Sequence, residues 1–362
     1  MVGRALHAIP HTSNVVWYAM RAAAYQFHTQ TGQSAWQDLS RLLKEDAVSD
    51  LRGNPTLRER NGRGYWYDRF RQGDKIVERY IGDDNADLRA RLERHKTLHA
   101  RSKDRRRETT RLIRLLRAEG YLTPDLATGQ LLTAMSRAGV FRLGGTVVGT
   151  QAFRHYEGVL GVRISADAAA QTDDIDIASF ERLSLALDDQ VDPALPDVFE
   201  SLEFEPLPAI EPNKTWRWRQ TRRQTLVEFL TPAFGATEGL RDLPALGVSA
   251  LSLHFLNYLI AAPLTVPLLY RDGALIQVPR PERYAIHKLI VSERRRHGET
   301  AQKSRKDRAQ AAFLIAVLAQ EDEYALSDAW LEARARGKAW CAALDAALIR
   351  MPETARLIAG VA

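Results

Sequence analysis

Residues 172–178 read Thr-Asp-Asp-Ile-Asp-Ile-Ala, and residues 225–230 read Thr-Leu-Val-Glu-Phe-Leu. In the first stretch polar and apolar positions alternate with a period of two, the spacing by which a β-strand sends one set of side chains into a core and the other out of it, and the second is a strand-like apolar run holding one acid. On such a strand Asp174 and Asp176 share one face while Ile175 and Ile177 enter the interior. Like charges at neighbouring positions of one face repel, and a cation with oxygen ligands removes that cost. The same residues also read as a loop of solvated acids after Gln171-Thr172, and the Asp-Ile-Asp spacing alone favours that plainer reading. Glu228 shifts the balance. A lone carboxylate in an apolar run is expensive unless it is paired or bound to a metal.

Upstream, Val140-Phe141-Arg142-Leu143 reads as a short strand running into Gly144-Gly145-Thr146, with an amphipathic helix following through Tyr156. A Gly-Gly turn at a helix N-terminus lets the backbone approach a phosphate, and the free N–H groups of the first turn favour the anion. Such turns are also common as plain geometry, and the lysine of a P-loop is missing. No Gly-x-Ser-x-Gly elbow and no His-Glu-x-x-His pair is present, which argues against a hydrolase triad or a zincin.

The 362 residues suffice for two or three domains, and 45% apolar with 27% charged residues is ordinary for a folded soluble chain. A lone cysteine, Cys341, excludes an internal disulfide framework and fits a reducing cytosol. The N-terminus lacks the apolar core of a secretory signal. Leu246–Tyr270 is apolar, but His254, Asn257, Pro263 and Pro267 interrupt it, so a buried helix followed by a strand is expected rather than a membrane span.

Helical spacing covers Thr12 to about Lys44, and Gly53-Asn54-Pro55 breaks it. Gly64-Tyr65-Trp66-Tyr67-Asp68-Arg69-Phe70 and the run to Gly82 flank Gln72-Gly73-Asp74 as a β-hairpin. One long helix, or two in series, fits Asp84 to Glu119. Within Arg89–Arg117 twelve Lys and Arg face three Asp and Glu, a bias that suits either a helix bridging domains or a surface for phosphate backbones. A second hairpin is expected about Arg271-Asp272-Gly273, then helices over Pro281–His297, Ser304–Ala319 and Leu326–Arg350. In Lys214-Thr215-Trp216-Arg217-Trp218-Arg219, continuing to Arg222 and Arg223, alternation places tryptophans on one side and arginines on the other. Stacked bases with phosphates, or a core face with a solvated face, would both use that pattern. Arg294, Arg295, Arg296, Lys303, Arg305 and Lys306 form a second basic cluster on the late helices, which together with the first suits a polyanionic acceptor such as RNA. Read from spacing, Lys288 and His287 are surface residues of an amphipathic helix, and Lys306-Asp307 an intrahelical charge pair.

Gly144-Gly145-Thr146, Asp174-Ile175-Asp176 and Val227-Glu228-Phe229-Leu230-Thr231-Pro232 together resemble the nucleotidyltransferase fold of the DNA polymerase beta type. Pro279–Val291 and Lys303-Ser304-Arg305-Lys306-Asp307 look more specifically like a bacterial group similar to the AbiEii and MenT-type toxins. The likeness covers about residues 120–320. It implies that Gly144, Gly145 and Thr146 hold a triphosphate, that Asp174, Asp176 and Glu228 bind Mg²⁺ as a two-ion site, that Lys288 neutralises phosphates, and that Asp307 lies near the nucleotide. Two departures stand out. The gap from Gly145 to Asp174 implies an inserted hairpin over Glu157–Ala170, and the third acid is Glu where Asp is usual.

The fold expected is α+β. A mixed sheet with flanking helices over 121–245 is preceded by a helical and β-hairpin region over 1–120 and followed by a helical domain over 246–362 that completes the nucleotide site. The expected activity is Mg²⁺-dependent transfer of a nucleoside monophosphate from an NTP to an acceptor hydroxyl, with RNA or tRNA as first choice through Arg217, Arg219, Arg222, Arg223 and Arg295. The resemblance implies a toxin-like role, for which an antitoxin protein would be the partner, while the lone cysteine and the interrupted apolar stretch fit a cytoplasmic enzyme with no membrane association. Protein AMPylation, small-molecule nucleotidylation and a silent binding module are the alternatives.

Overall fold

The computed structural model describes residues 25–361, apart from 48–50, 52, 61, 73–74, 101, 166–173, 182, 184–188, 210 and 298–300. The expected helix over residues 12–24 and the turn at 73–74 therefore lie outside the described residues. The chain packs as two compact units.

The larger unit comprises the described residues of 29–160 and 169–280. It opens with α1 (Gln30–Ala47) and a three-stranded antiparallel sheet of β1 (Asn54–Arg60), β2 (Arg63–Gln72) and β3 (Lys75–Asp83). The expected hairpin is thus a meander, since residues 54–60, expected only as a break, form its first strand. Pro55 fits there because β1 is an edge strand and one of its flanks needs no donor. Two helices in series follow, α2 (Ala86–Ala100) and α3 (Ser102–Ala118).

The next helix, α4 (Leu126–Ala138), has caps legible in its sequence. Asp125 accepts from the N–H groups of Ala127 and Thr128 at 2.9 and 3.1 Å, and Gly139 closes the other end in the left-handed region. Residues 140–144 do not form the expected strand. They turn tightly, with the N–H of Gly145 donating to the Val140 carbonyl at 2.9 Å and Gly144 at φ +91°. The strand comes later, as β4 (Thr146–Val148), and runs directly into α5 (Gly149–Leu160). Residues 157–160 complete that helix, so the inserted hairpin expected over Glu157–Ala170 does not form there; 166–170 lie outside the described residues.

A seven-stranded mixed sheet holds this unit together. β4 pairs antiparallel with β5 (Asp174–Ala178), β5 lies parallel to β8 (Leu226–Pro232), β8 lies parallel to β10 (Val248–Leu253), and β9 (Leu240–Leu243) pairs antiparallel with β10. After α6 (Leu195–Ser201), β6 (Phe204–Pro206) and β7 (Arg217–Gln220) form a hairpin attached through β7 to β8. β9 and β10 lie on either side of the domain boundary read at 245, yet they pair with each other. The apolar stretch 246–270 is strand β10, short helix α7 (Leu256–Leu259) and strand β11 (Leu264–Leu268) rather than a helix and a strand, because alternate residues of β10 pack into the sheet. β12 (Ala274–Val278) completes the expected second hairpin with β11.

One face of the central sheet is an apolar layer. Ile175, Ile177, Val227 and Phe229 are fully buried. Phe199 lies 4.7 Å from Trp218 and 6.1 Å from Phe229, ring centre to ring centre.

The smaller unit comprises the described residues of 25–28, 161–165 and 281–361. Phe27 and Val162 form an antiparallel bridge, and the Tyr25 hydroxyl donates to Glu321 at 2.6 Å. Its helices are α8 (Pro281–Arg294), α9 (Ala301–Glu321), α10 (Glu323–Ala335), α11 (Lys338–Ile349) and α12 (Pro352–Val361). The single helix expected over Leu326–Arg350 is split because Gly337 adopts φ +113° between α10 and α11. No helix among the described residues is long and apolar enough to cross a membrane.

Removing the Phe199 ring leaves a cavity against Trp218 and Phe229, so Phe199→Ala should lower unfolding stability by about 3–5 kcal/mol. Urea denaturation followed by tryptophan fluorescence measures this; a loss below about 1 kcal/mol would mean the apolar layer does not carry the sheet.

Candidate functional site

The register of β5 against β8 sets the site. Asp176 is the direct partner of Glu228, and Asp174 is the partner of Leu226. With Ile175, Ile177, Val227 and Phe229 on the buried face, Asp174, Asp176 and Glu228 share the opposite face, each half-buried. On the other side of β8, Arg217 is the register partner of Glu228 and Arg219 that of Leu226. The acid-bearing face therefore continues across three strands into arginines. Trp218 follows the core alternative, at 3% exposure, while the Arg217 guanidinium lies 4.5 Å above the Trp216 ring. Arg222 pairs with Glu203 at 2.8 Å, and Arg223 is exposed in the turn between β7 and β8.

The helix N-terminus at this face belongs to Gly149, not to Gly144-Gly145-Thr146. Gly149 adopts φ +66°, and a Cβ built on it would stand 2.4 Å from Asp176 Oδ2. Both constraints demand glycine: the backbone conformation is strained for any other L residue, and the carboxylate occupies the side-chain space. Asp176 thus lies against the first residue of α5, where helix N–H groups favour negative charge. Gly144 and Gly145 instead shape the preceding turn. A Cβ on Gly145 would meet Val140 Cγ1 at 2.5 Å and the Val140 carbonyl oxygen at 2.9 Å, and Thr146 is a buried residue of β4 paired with Ala178. The signal for the true helix start was present in Val147-Val148-Gly149-Thr150, because the helical spacing of Ala152, Phe153 and Tyr156 begins only after Gly149.

The chemistry of these donors fits a divalent cation. Two carboxylates on one strand face, with a third in register beside them, give oxygen ligands of one sign at one place. Among the described residues no group of three or more His, Cys, Asp or Glu side chains is placed to hold a metal ion, so the three acids share a face without forming a metal cluster. Mg²⁺ does not require such a group, since it commonly takes one or two carboxylates and fills the rest of its shell with water and substrate oxygens.

Lys288, Asp307 and Arg295 belong to the smaller unit. Asp307, 2% exposed, accepts from the Lys288 ammonium on one oxygen and from Arg295 at 3.0 Å on the other, and Lys288 is itself 6% exposed. Lys288 is therefore not the surface residue its helical spacing suggested, and its charge is compensated within its own unit. Asp307 pairs across α8 and α9 rather than with Lys306. Burial, reinforced by Lys288, Arg295 and Arg294, pushes the His287 imidazole down to about 3, which leaves it neutral at pH 7 and too weak for a general base.

Residues 34–90 match the model of a Domain of unknown function (DUF6788). No curated protein matches the chain. Among solved structures, the chain is similar to an antigenic nucleotidyltransferase-like protein from Paracoccidioides brasiliensis, at 15% identity over 62% of this chain and 94% of that one. The TM-score is 0.31. Residues 127–335, more than half of the chain and including the β4–α5 turn and all three acids, match the model of a family described as Nucleotidyltransferase, and to that family the chain belongs.

Proposed function

We propose that the chain transfers a nucleoside monophosphate from an NTP to a hydroxyl of RNA, at the sheet face that carries Asp174, Asp176 and Glu228. The observation that carries this reading is the contact of Asp176 Oδ2 with Gly149, which sets a carboxylate beside the start of a twelve-residue helix. Anion-attracting backbone and cation-attracting carboxylates meet there, as a metal-bound triphosphate requires. In this reading the turn from β4 into α5, rather than Gly144 and Gly145, is the backbone that lies beside the acids.

Asp174 and Asp176 would hold Mg²⁺, with Glu228 as the third acid; the bound ions would neutralise the triphosphate and ease ionisation of the acceptor hydroxyl. The acceptor oxygen forms a bond to the α-phosphorus as the bond to the β-phosphate bridge breaks, and pyrophosphate leaves. Glu228, a carboxylate in register with Asp176, would take the acceptor proton. RNA is favoured as acceptor because Arg217 and Arg219 extend the same face, giving phosphates a cationic approach to the acids.

Incubation with Mg²⁺, each labelled NTP and either total RNA or total protein tests the reading. Label should enter RNA; label in protein alone would replace RNA with a protein hydroxyl as acceptor, and label in neither would overturn transfer. Asp176→Asn should slow transfer roughly a thousandfold, the size of several kcal/mol of lost charge stabilisation, with melting temperature unchanged. Gly149→Val should abolish transfer and also cost about 1–2 kcal/mol of stability from the left-handed backbone. Full activity in Gly149→Val would show that the start of α5 takes no part.

A further inference from the structure

The aromatic segment Gly64–Phe70 takes no part in the transfer site, yet its sheet is built in an unusual way. On β2, Trp66, Asp68 and Phe70 share one face. That face is covered: Asp68 is fully buried and accepts from the Gly53 N–H at 2.8 Å, the Trp66 indole donates to Asp84 at 2.9 Å, and a Cβ on Gly82, the partner of Trp66, would meet Leu88 at 3.2 Å. The opposite face carries Tyr65 and Tyr67, with Tyr80 as the register partner of Tyr67 on β3. Tyr80 is 52% exposed, and its ring centre lies 5.7 Å from that of Tyr67 and 6.4 Å from that of Tyr65. Three aromatic rings therefore gather on the open side of the sheet.

Arginines surround them. Arg58 is the partner of Tyr65, Arg69 follows Tyr67 on the same face, and Arg60 and Arg63 stand directly opposite each other where β1 meets β2. All four are exposed. Glu78 compensates Arg58 at 2.5 Å and Arg69 at 3.7 Å, and Asp83 accepts from the Tyr80 hydroxyl. Like charges directly opposite on paired strands are destabilising, so the Arg60–Arg63 register is an electrostatic cost that a bound anion would relieve.

We infer that this face binds single-stranded nucleic acid. Exposed rings accept unpaired bases by stacking, and flanking guanidinium groups accept the backbone phosphates; a duplex, with its base faces already stacked, offers only the phosphates. The binding needs neither nucleotide nor metal and stands apart from the transfer reaction.

The test uses the full chain, without NTP or divalent metal, and fluorescence anisotropy of labelled oligo(U), oligo(dT) and a duplex, each about twelve nucleotides long. Single strands should bind more tightly than duplex, with affinity falling as salt rises. A preference between oligo(U) and oligo(dT), which differ in the 2′-hydroxyl and the base methyl group, upholds the surface. Tyr80→Leu should weaken binding roughly tenfold, the size of one lost base stack, while Tyr80→Phe retains it. Arg60→Glu with Arg63→Glu should weaken binding and flatten the salt dependence by about one to two phosphate contacts. Thermal melting separates these effects from unfolding. Equal binding of duplex and single strand, or wild-type affinity in a folded Tyr80→Leu, would overturn the inference.

Discussion

Ile175 and Ile177 reach the apolar layer only when β5 lies in its observed parallel register with β8, and the rest of the larger unit follows from that pairing. A strand has two faces, so turning it over would bring Asp174 and Asp176 into the layer occupied by Phe199, Trp218 and Phe229. Burying carboxylates among aromatic rings costs far more than any alternative packing could return. The register is therefore fixed by what must stay out of the core as much as by what enters it. Once it is fixed, Asp176 must face Glu228, and Glu228 must face Arg217 on the far side.

The same constraint reaches the helix. β4 pairs with β5 through Val148 and Asp176, and the chain turns into α5 at the very next residue. The turn needs a positive φ, and the helix starts against a carboxylate, so only glycine satisfies both at 149. Strand register, turn geometry and the polarity of the helix end converge on one side-chain position. The arrangement is rigid, because its parts are held by backbone pairing rather than by flexible side chains.

Much of this was legible in the sequence because its signals are local. The Asp-Ile-Asp-Ile alternation, the lone Glu228 in an apolar run and the Arg-Asp-Gly turn between β11 and β12 each encode an element within a few residues. What failed was short or long-range. Val140–Leu143 looks like a strand, but four apolar-rich residues cannot outweigh the turns that Gly139, Gly144 and Gly145 impose, so the strand and the helix start both lie later than their spacing suggests. β1 was hidden by Pro55, which reads as a breaker until its edge position is known. Lys288 and Asp307 are nineteen residues apart, on separate helices, and nothing in either helix announces that they share a buried pair.

The two charged faces of the larger unit follow one logic. Folded proteins are stable by a small margin, so like charges set side by side on paired or alternating strand positions are tolerated where something offsets them. At β5 the repelling charges are carboxylates, and the complementary ligand would be a cation, as in the proposed nucleotide site. At the β1–β2 edge they are guanidinium groups, and the complementary ligand is a phosphate chain, with three tyrosines at hand for the bases attached to it. A phosphate-bearing polymer would satisfy the second face, and the proposed metal-bound nucleotide would satisfy the first. Both ligands are those that extension of a nucleic acid by one nucleotide would bring to a single chain.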